Sequence, residues 1–421
     1  MISDSLSFPL MAIALAVGIG IGDSVAVPSG AAIVLLPVAA LLLWAYWSAR
    51  RGRTALAAFC FFFLLLGIVR AQLGDLHPLP PSATDWARQL SNRLSLFLRD
   101  SGLSPDTEAL LEALLLGRRG MLSPELRELY RSAGAAHVLA LSGLHLGILF
   151  YAVNGLLIRL LQYRLRYPVA AAELLLMWGY ALVAGFPVSL CRATIMMSLF
   201  IIAQIRLTGN SNVHTLGVAA FLLLMASPGV LYDVGFQLSF SAVAGLVLFY
   251  ASLSALWVPR SRGLNWLWKG LMVSVSAQLL TFPLSVHYFH RFSFSGLLLS
   301  PLYLLLATLV IYVALFLLLF RPLGNGLLVP LLERLTALLH GIMSHSFLLP
   351  LNSVGGIHLP WSGAVLFCGA VLCLLPPLRA LRQPPVARPG HRRAMFFRSW
   401  PYLLAFLFLG LCGVWVSVHS R

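Results

Sequence analysis

Charge is what this chain has least of. Charged residues make up 10% of its 421 positions, acids number 13, and lysine occurs once, at Lys269. So little polar surface cannot cover a soluble globule, and with 60% hydrophobic content and a mean hydropathy of +0.90 the chain reads as a polytopic membrane protein. Cysteine is scarce as well. Cys60, Cys191, Cys368, Cys373 and Cys412 lie within or beside apolar runs, with no C-x-x-C pair and no His/Cys ligand spacing, and they read as small core hydrophobes. No Walker A sequence and no H-E-x-x-H is present, which excludes P-loop ATP hydrolysis and zincin chemistry; neither a metal site nor a cofactor is expected. The N-terminus lacks a basic n-region and an A-x-A cleavage site, so the first apolar run is expected to be retained.

What is present is apolar length. About twelve runs approach the roughly 20 residues that span a bilayer, and the segment 327–349 adds a further one interrupted by Glu333, Arg334, His340 and His345. Arg50, Arg51 and Arg53, then Arg164 and Arg166, then Arg260, Arg262 and Lys269, then Arg321 fall in loops on one side. The basic loop 379–398 joins them if 327–349 crosses. The expectation is an all-α bundle of about 11–13 transmembrane helices, some broken or re-entrant, with the N-terminus inside and the C-terminus outside. Residues 1–74 form the first helices and 75–134 a short external helical segment. Residues 135–378 form the main transmembrane domain, followed by the basic loop and a terminal helix over 399–421. In the external segment Leu90, Leu94, Phe97 and Leu98 recur at helical spacing, as in an amphipathic helix on the membrane surface. Ser104-Pro105 and Ser123-Pro124 read as helix starts.

Polar groups collect at a few points along this apolar background. The stretch from Gly134 to His145 holds His137, Ser142, Gly143 and His145 at the mouth of a span, where lipid would demand that each polar group be satisfied internally. Gly134 and Gly143 permit unwinding or the close approach of a second helix. Downstream, Arg192 follows a Pro-containing turn, where an arginine binds phosphate, pairs with a carboxylate or snorkels to the interface. Asp233, Gln237 and Ser241 repeat every four residues and so share one helix face.

The pattern His-x-x-Ala-x-Ser-Gly-x-His at 137–145 resembles the competence domain of ComEC-type proteins, the inner-membrane DNA-uptake channel family. Pro187-x-Ser-x-x-Arg192-Ala-x-x-Met196 is similar to a second signature of that domain. Gly235-Phe-Gln237-Leu-Ser239-Phe240 looks like its third, and Gln278-x-x-x-x-Pro283 with the aromatics to Arg291 like its fourth. The resemblance covers residues 106–320 well and 321–378 loosely. It implies a channel, not an enzyme, that passes single-stranded DNA across the inner membrane in natural transformation. In that reading His137, Ser142, Gly143 and His145 shape a central break, Arg192 attracts phosphate, and Asp233 with Gln237 orients it, unless Asp233 pairs with Arg192. The implied partners are a DNA receptor and pilus components outside, and a helicase or single-strand-binding and recombination proteins in the cytoplasm, with the lipid bilayer around the chain and homodimerisation left open. Full-length members add a nucleic-acid-binding-like domain and a metallo-β-lactamase-like hydrolase domain. The stretch 74–134 is too short for the first, and no His-x-His-x-Asp-His cluster marks the second, so a compact member is expected.

Two other classes fit parts of the pattern. A secondary transporter of a small anionic solute would use broken helices and an arginine near the midplane. An intramembrane serine protease would use Ala140-Leu141-Ser142-Gly143 with a histidine such as His214, His287 or His290, and Gly20-Ile-Gly-Asp23 with Tyr232-Asp233 imitates the presenilin-like pairing in reversed order. The spread of His137, His145, Arg192, Gln237 and Arg291 over several depths favours a long polymer path over a single solute site.

Overall fold

The computed structural model describes residues 7–24, 63, 66, 81–139, 147, 166–205, 212–319, 321–346, 353–376 and 378. In chain order the helices are α1 Ser7–Ser24, α2 Pro81–Arg99, α3 Pro105–Leu116, α4 Pro124–Ser132, α5 Ala136–Leu139, α6 Arg166–Val183, α7 Val188–Ile205 and α8 Asn212–Ala226. They continue as α9 Val234–Ser254, α10 Arg262–Phe289, α11 Phe294–Leu319, α12 Arg321–His345 and α13 Trp361–Leu372. Short 3-10 turns lie at Arg119–Met121 and Pro228–Tyr232, and strands β1 Arg291–Ser293 and β2 Ser353–Gly355 pair antiparallel with Phe292 opposite Val354. The all-α bundle expected from composition is therefore what forms. Among the described residues four helices are long and apolar enough to cross a membrane: Val234–Ser254, Arg262–Phe289, Phe294–Leu318 and Gly326–His345.

The chain divides into two compact units. The first takes in 1–85, 150–179 and 190–240. Here α1 packs on α8, and Leu15 and Ile19 are fully buried against Leu223, Leu224 and Phe236. Phe63 meets Phe221 edge to face at 5.5 Å, a geometry that places a positive ring edge on a negative ring face.

The second unit takes in 86–149, 180–189 and 241–421. Its core is built by α3 to α5 against α11 and α12. Leu110, Leu111 and Leu114 of α3 are buried with Tyr303, Val310 and Leu317 of α11 and with Leu332, Leu339 and Met343 of α12. Burial on nearly every side explains why α3 shows no amphipathic pattern, whereas α2 is amphipathic, with Leu98 inside and Leu96 outside. Both serine caps form as expected from sequence. Ser104 precedes Pro105 in extended backbone and accepts from the Thr107 N–H, and Ser123 accepts from Leu126 at 3.1 Å.

Two long-range polar contacts tie these short helices to α12. The Glu333 carboxylate accepts from the Ser104 N–H at 2.7 Å, the Ser104 hydroxyl at 2.7 Å and the Thr107 hydroxyl at 2.9 Å. A carboxylate at a helix start satisfies orphan N–H groups and complements the dipole. Two turns on, His340 shares a hydrogen bond of 3.2 Å with the Tyr130 hydroxyl. Close approach fixes the entry to α5. Gly134 has φ +71, and a Cβ there would lie 2.8 Å from Ser293 Cβ and 2.9 Å from Gly296 Cα. Only glycine suits both the left-handed backbone and that contact.

Candidate functional site

The most developed polar arrangement in the first unit surrounds the start of α9. Helix α8 ends at Ala226, the 3-10 turn Pro228–Tyr232 reverses the chain, and Asp233 in extended backbone precedes α9. Asp233 is the N-cap: its Oδ1 accepts from the Phe236 N–H at 2.6 Å, three residues on. The same oxygen accepts from Arg192 Nη1 at 2.8 Å. Arg192 is 4% exposed, near the start of α7, whereas the Asp233 side chain is 46% exposed. The cation is therefore the buried partner, and the carboxylate compensates it from the rim.

Gly235 completes the arrangement. A Cβ at this position would sit 2.7 Å from Arg192 Nη2 and 3.1 Å from Asp233 Oδ1, so the guanidinium lies against bare backbone. Gln237 turns back across the junction, its Nε2 donating to the Leu231 carbonyl at 2.9 Å. Ser239 donates to the Phe236 carbonyl at 3.2 Å within α9. Arg192 Nε is buried without a protein partner. Together Arg192, Asp233, Gly235 and Gln237 form a clamp that sets where α9 begins and the direction in which it leaves the turn.

Of the two roles set out for Asp233, the structure realises the pairing with Arg192. The four-residue spacing of Asp233 and Gln237 serves the turn: both side chains bond to groups of the 3-10 to α9 junction. Tyr232 takes a hydrogen bond with Asp23 of α1, so the two aspartates of the presenilin-like pattern have different partners. Burial, and after it the Asp23 carboxylate, hold the Tyr232 phenol above its ordinary pKa.

The remaining sequence candidates lie in the second unit or beyond the described residues. His137 is exposed on α5, with its Nδ1 3.2 Å from the Gly134 carbonyl. Ser142, Gly143 and His145 lie outside the described residues. Gln278 is half-buried on α10, and Pro283 is buried inside the same helix, where it has no N–H to offer the carbonyl four residues back. Below it, His287 Nδ1 lies 2.8 Å from the Leu359 carbonyl, its ring 5.4 Å from that of Trp361. Among the described residues no three His, Cys, Asp or Glu side chains gather as a metal site would need.

Sequence reasoning assigned no role to Gly235 or Glu333. Gly235 stood in view inside the Gly-Phe-Gln-Leu-Ser-Phe element, two residues after the only acid nearby. Glu333 was visible as a carboxylate in an apolar run, with no local sign of its partner 229 residues away.

The family model described as Competence protein matches residues 114–382, a stretch containing all ten candidate positions. The chain is 30% identical over 194 residues to ComE operon protein 3 of Bacillus subtilis, covering 46% of this chain and 24% of that protein. It is 32% identical over 168 residues to Competence protein ComA of Neisseria gonorrhoeae, covering 38% and 24%. With Recombination protein 2 of Haemophilus influenzae it shares 28% over 224 residues, covering 50% and 28%. The chain thus spans about a quarter of the length of the curated relatives it matches. No solved structure matches it. The matched stretch exceeds half of the chain and takes in the Arg192–Asp233 clamp, and the chain belongs to the competence protein family as a ComEC-type member.

Proposed function

We propose that this chain forms the membrane-embedded path by which one strand of DNA crosses the inner membrane during natural transformation. The observation that carries the reading is the family match over 114–382, which overlaps the apolar helices α9 to α12 and the clamp at the start of α9. Its role is translocation and not hydrolysis. In this reading the N-terminus is cytoplasmic and the C-terminus external, in accord with the arginine-rich loops. The partners are a DNA receptor and pilus components outside, and a helicase or single-strand-binding and recombination proteins inside, because a polymer moves in one direction only when something captures it.

The geometry supports a division of roles among the candidate residues. Arg192 is buried and compensated, so it acts by positioning: it holds Asp233, and through it the first turn of α9. Ser239, Gln278 and Pro283 remain candidates for the path, with His137, Ser142, Gly143 and His145 at its break. The test is delivery of labelled DNA and transformant yield in a competent host whose own channel gene is deleted. The parent chain is expected to restore both. Uptake equal to that of the empty host, with the chain inserted at normal level, overturns the reading.

A further inference from the structure

A cleft of about 270 Å³ opens in the second unit between the end of α3 and the turn that leads from α6 to α7. It is lined by Arg88 and Ser91 of α2, by Leu116, Gly117 and Arg118, and by Ala184, Gly185 and Pro187. Both walls are left-handed turns, Gly117 at φ +71 and Gly185 at φ +78, and Phe186 beside it also has positive φ, at 51. A side chain is excluded at such glycines by backbone strain, which leaves peptide groups facing the space. The walls are joined below the cleft, where the Tyr180 hydroxyl donates to the Leu115 carbonyl at 3.0 Å. The cleft is a fixed feature of the fold, not a gap between independent loops.

Its chemistry is set by Arg118. This guanidinium is half-buried, and its Nη2 donates to Ser91 Oγ at 2.9 Å and to Asn92 Oδ1 at 2.5 Å. Both acceptors are neutral. Three other arginines of the unit have carboxylates: Arg99 meets Glu108 at 3.1 Å, and Arg131 and Arg291 both meet Glu128, at 3.1 and 3.2 Å. No carboxylate lines the cleft among the described residues. A positive group is thus held in a defined orientation by one nitrogen, while among the described residues no carboxylate pairs with Nη1 or Nε, in a concave site with a second arginine on its wall. A held guanidinium with spare planar donors suits a phosphate oxygen. A phosphodiester also fits the space, because the walls are backbone and small side chains.

We infer that this cleft binds a phosphodiester of the DNA strand, as a fixed contact beside the Gly185-Phe186-Pro187 turn that leads into α7. The inference rests on the DNA-uptake reading and names a site centred on Arg118, which lies outside the sequence motifs, with Pro187 of the second signature on its wall. Electrostatic contact of this kind carries no base preference and weakens with salt.

The test uses the full chain in nanodiscs of zwitterionic lipid, titrated with a fluorescein-labelled oligothymidylate at several salt concentrations. Arg118→Gln is expected to lower affinity about three- to tenfold and to reduce the salt slope by about 0.7, the loss of one phosphate contact. Arg127→Gln removes the same charge from an arginine that donates only to the Arg119 and Gly120 carbonyls, and is expected to leave both unchanged. Pro187→Glu, which places a carboxylate in the cleft and leaves the Arg118 bonds to Ser91 and Asn92 alone, should weaken binding like Arg118→Gln. Equal binding by Arg118→Gln and Arg127→Gln overturns the inference. So does an Arg118→Gln effect confined to enrichment of phosphatidylglycerol in mixed nanodiscs, which would make the ligand a lipid headgroup. The uptake assay separates the two readings: a parent that restores uptake while Arg118→Gln binds and delivers DNA normally removes the cleft alone, whereas a parent that neither binds DNA nor restores uptake removes both.

Discussion

Arg192 and Arg118 both stand beside a turn, yet the fold gives them opposite surroundings. Arg192 is sealed in, lies against Gly235 and meets a carboxylate. Arg118 is half-buried, held by a serine and an asparagine, and opens on a cleft. A buried, compensated cation organises the chain around it, because exposing or unpairing it costs more than it returns. A half-exposed cation on neutral acceptors keeps its field for a ligand. Whether an arginine in this family member holds structure or meets cargo is therefore decided by what stands opposite it, which the arginine's own neighbours in sequence do not reveal.

The largest effect expected from breaking this contrast is at Asp233. Asp233→Ala leaves the Arg192 guanidinium buried without a counterion and removes the cap of α9, and a loss of about 3 kcal/mol is expected in urea or thermal unfolding of the detergent-solubilised chain. Gly235→Val follows, at about 2 kcal/mol, because its Cβ meets Arg192 Nη2 at 2.7 Å and the buried guanidinium has little room to retreat. Glu333→Gln, a second carboxylate that organises structure, should cost about 1 kcal/mol by weakening three charge-assisted bonds to Ser104 and Thr107. Arg118→Gln should change stability by about 0.5 kcal/mol at most while lowering DNA affinity, the inverse of the Asp233 result. An Arg118→Gln variant as unstable as Asp233→Ala would erase the contrast.

Much of this is legible in the sequence. Composition carries the membrane helix bundle, the Ser-Pro pairs at 104 and 123 mark two helix starts by local chemistry alone, and the Arg192 and Asp233 motifs are the two halves of the clamp. Gly134 was expected to allow a close approach, and it meets Gly296 of α11. What the sequence hid is non-local. The twelve-residue α3 is too short to be read as a span, and Thr107 and Glu112 are buried in it together with the leucines, so its burial against α11 and α12 has no periodic signal. Glu333 caps a helix far away in the chain, and the cleft joins the end of α3 to a turn before α7. Such pairings depend on how helices stack, and no spacing rule encodes them. The expectations at Ser142, Gly143 and His145 fall outside the described residues.

The most direct test of the clamp, taken with the proposed DNA-uptake role, is a double-mutant cycle read as transformant yield in a competent host lacking its own channel gene, with membrane levels matched. The parent should restore uptake, and Asp233→Ala should lose at least tenfold, about 1.4 kcal/mol or more in coupled terms. Arg192→Ala combined with Asp233→Ala should lose far less than the product of the two single losses, because the unpaired buried charge is gone. Multiplicative losses, or single variants that take up DNA as the parent does, would contradict the account.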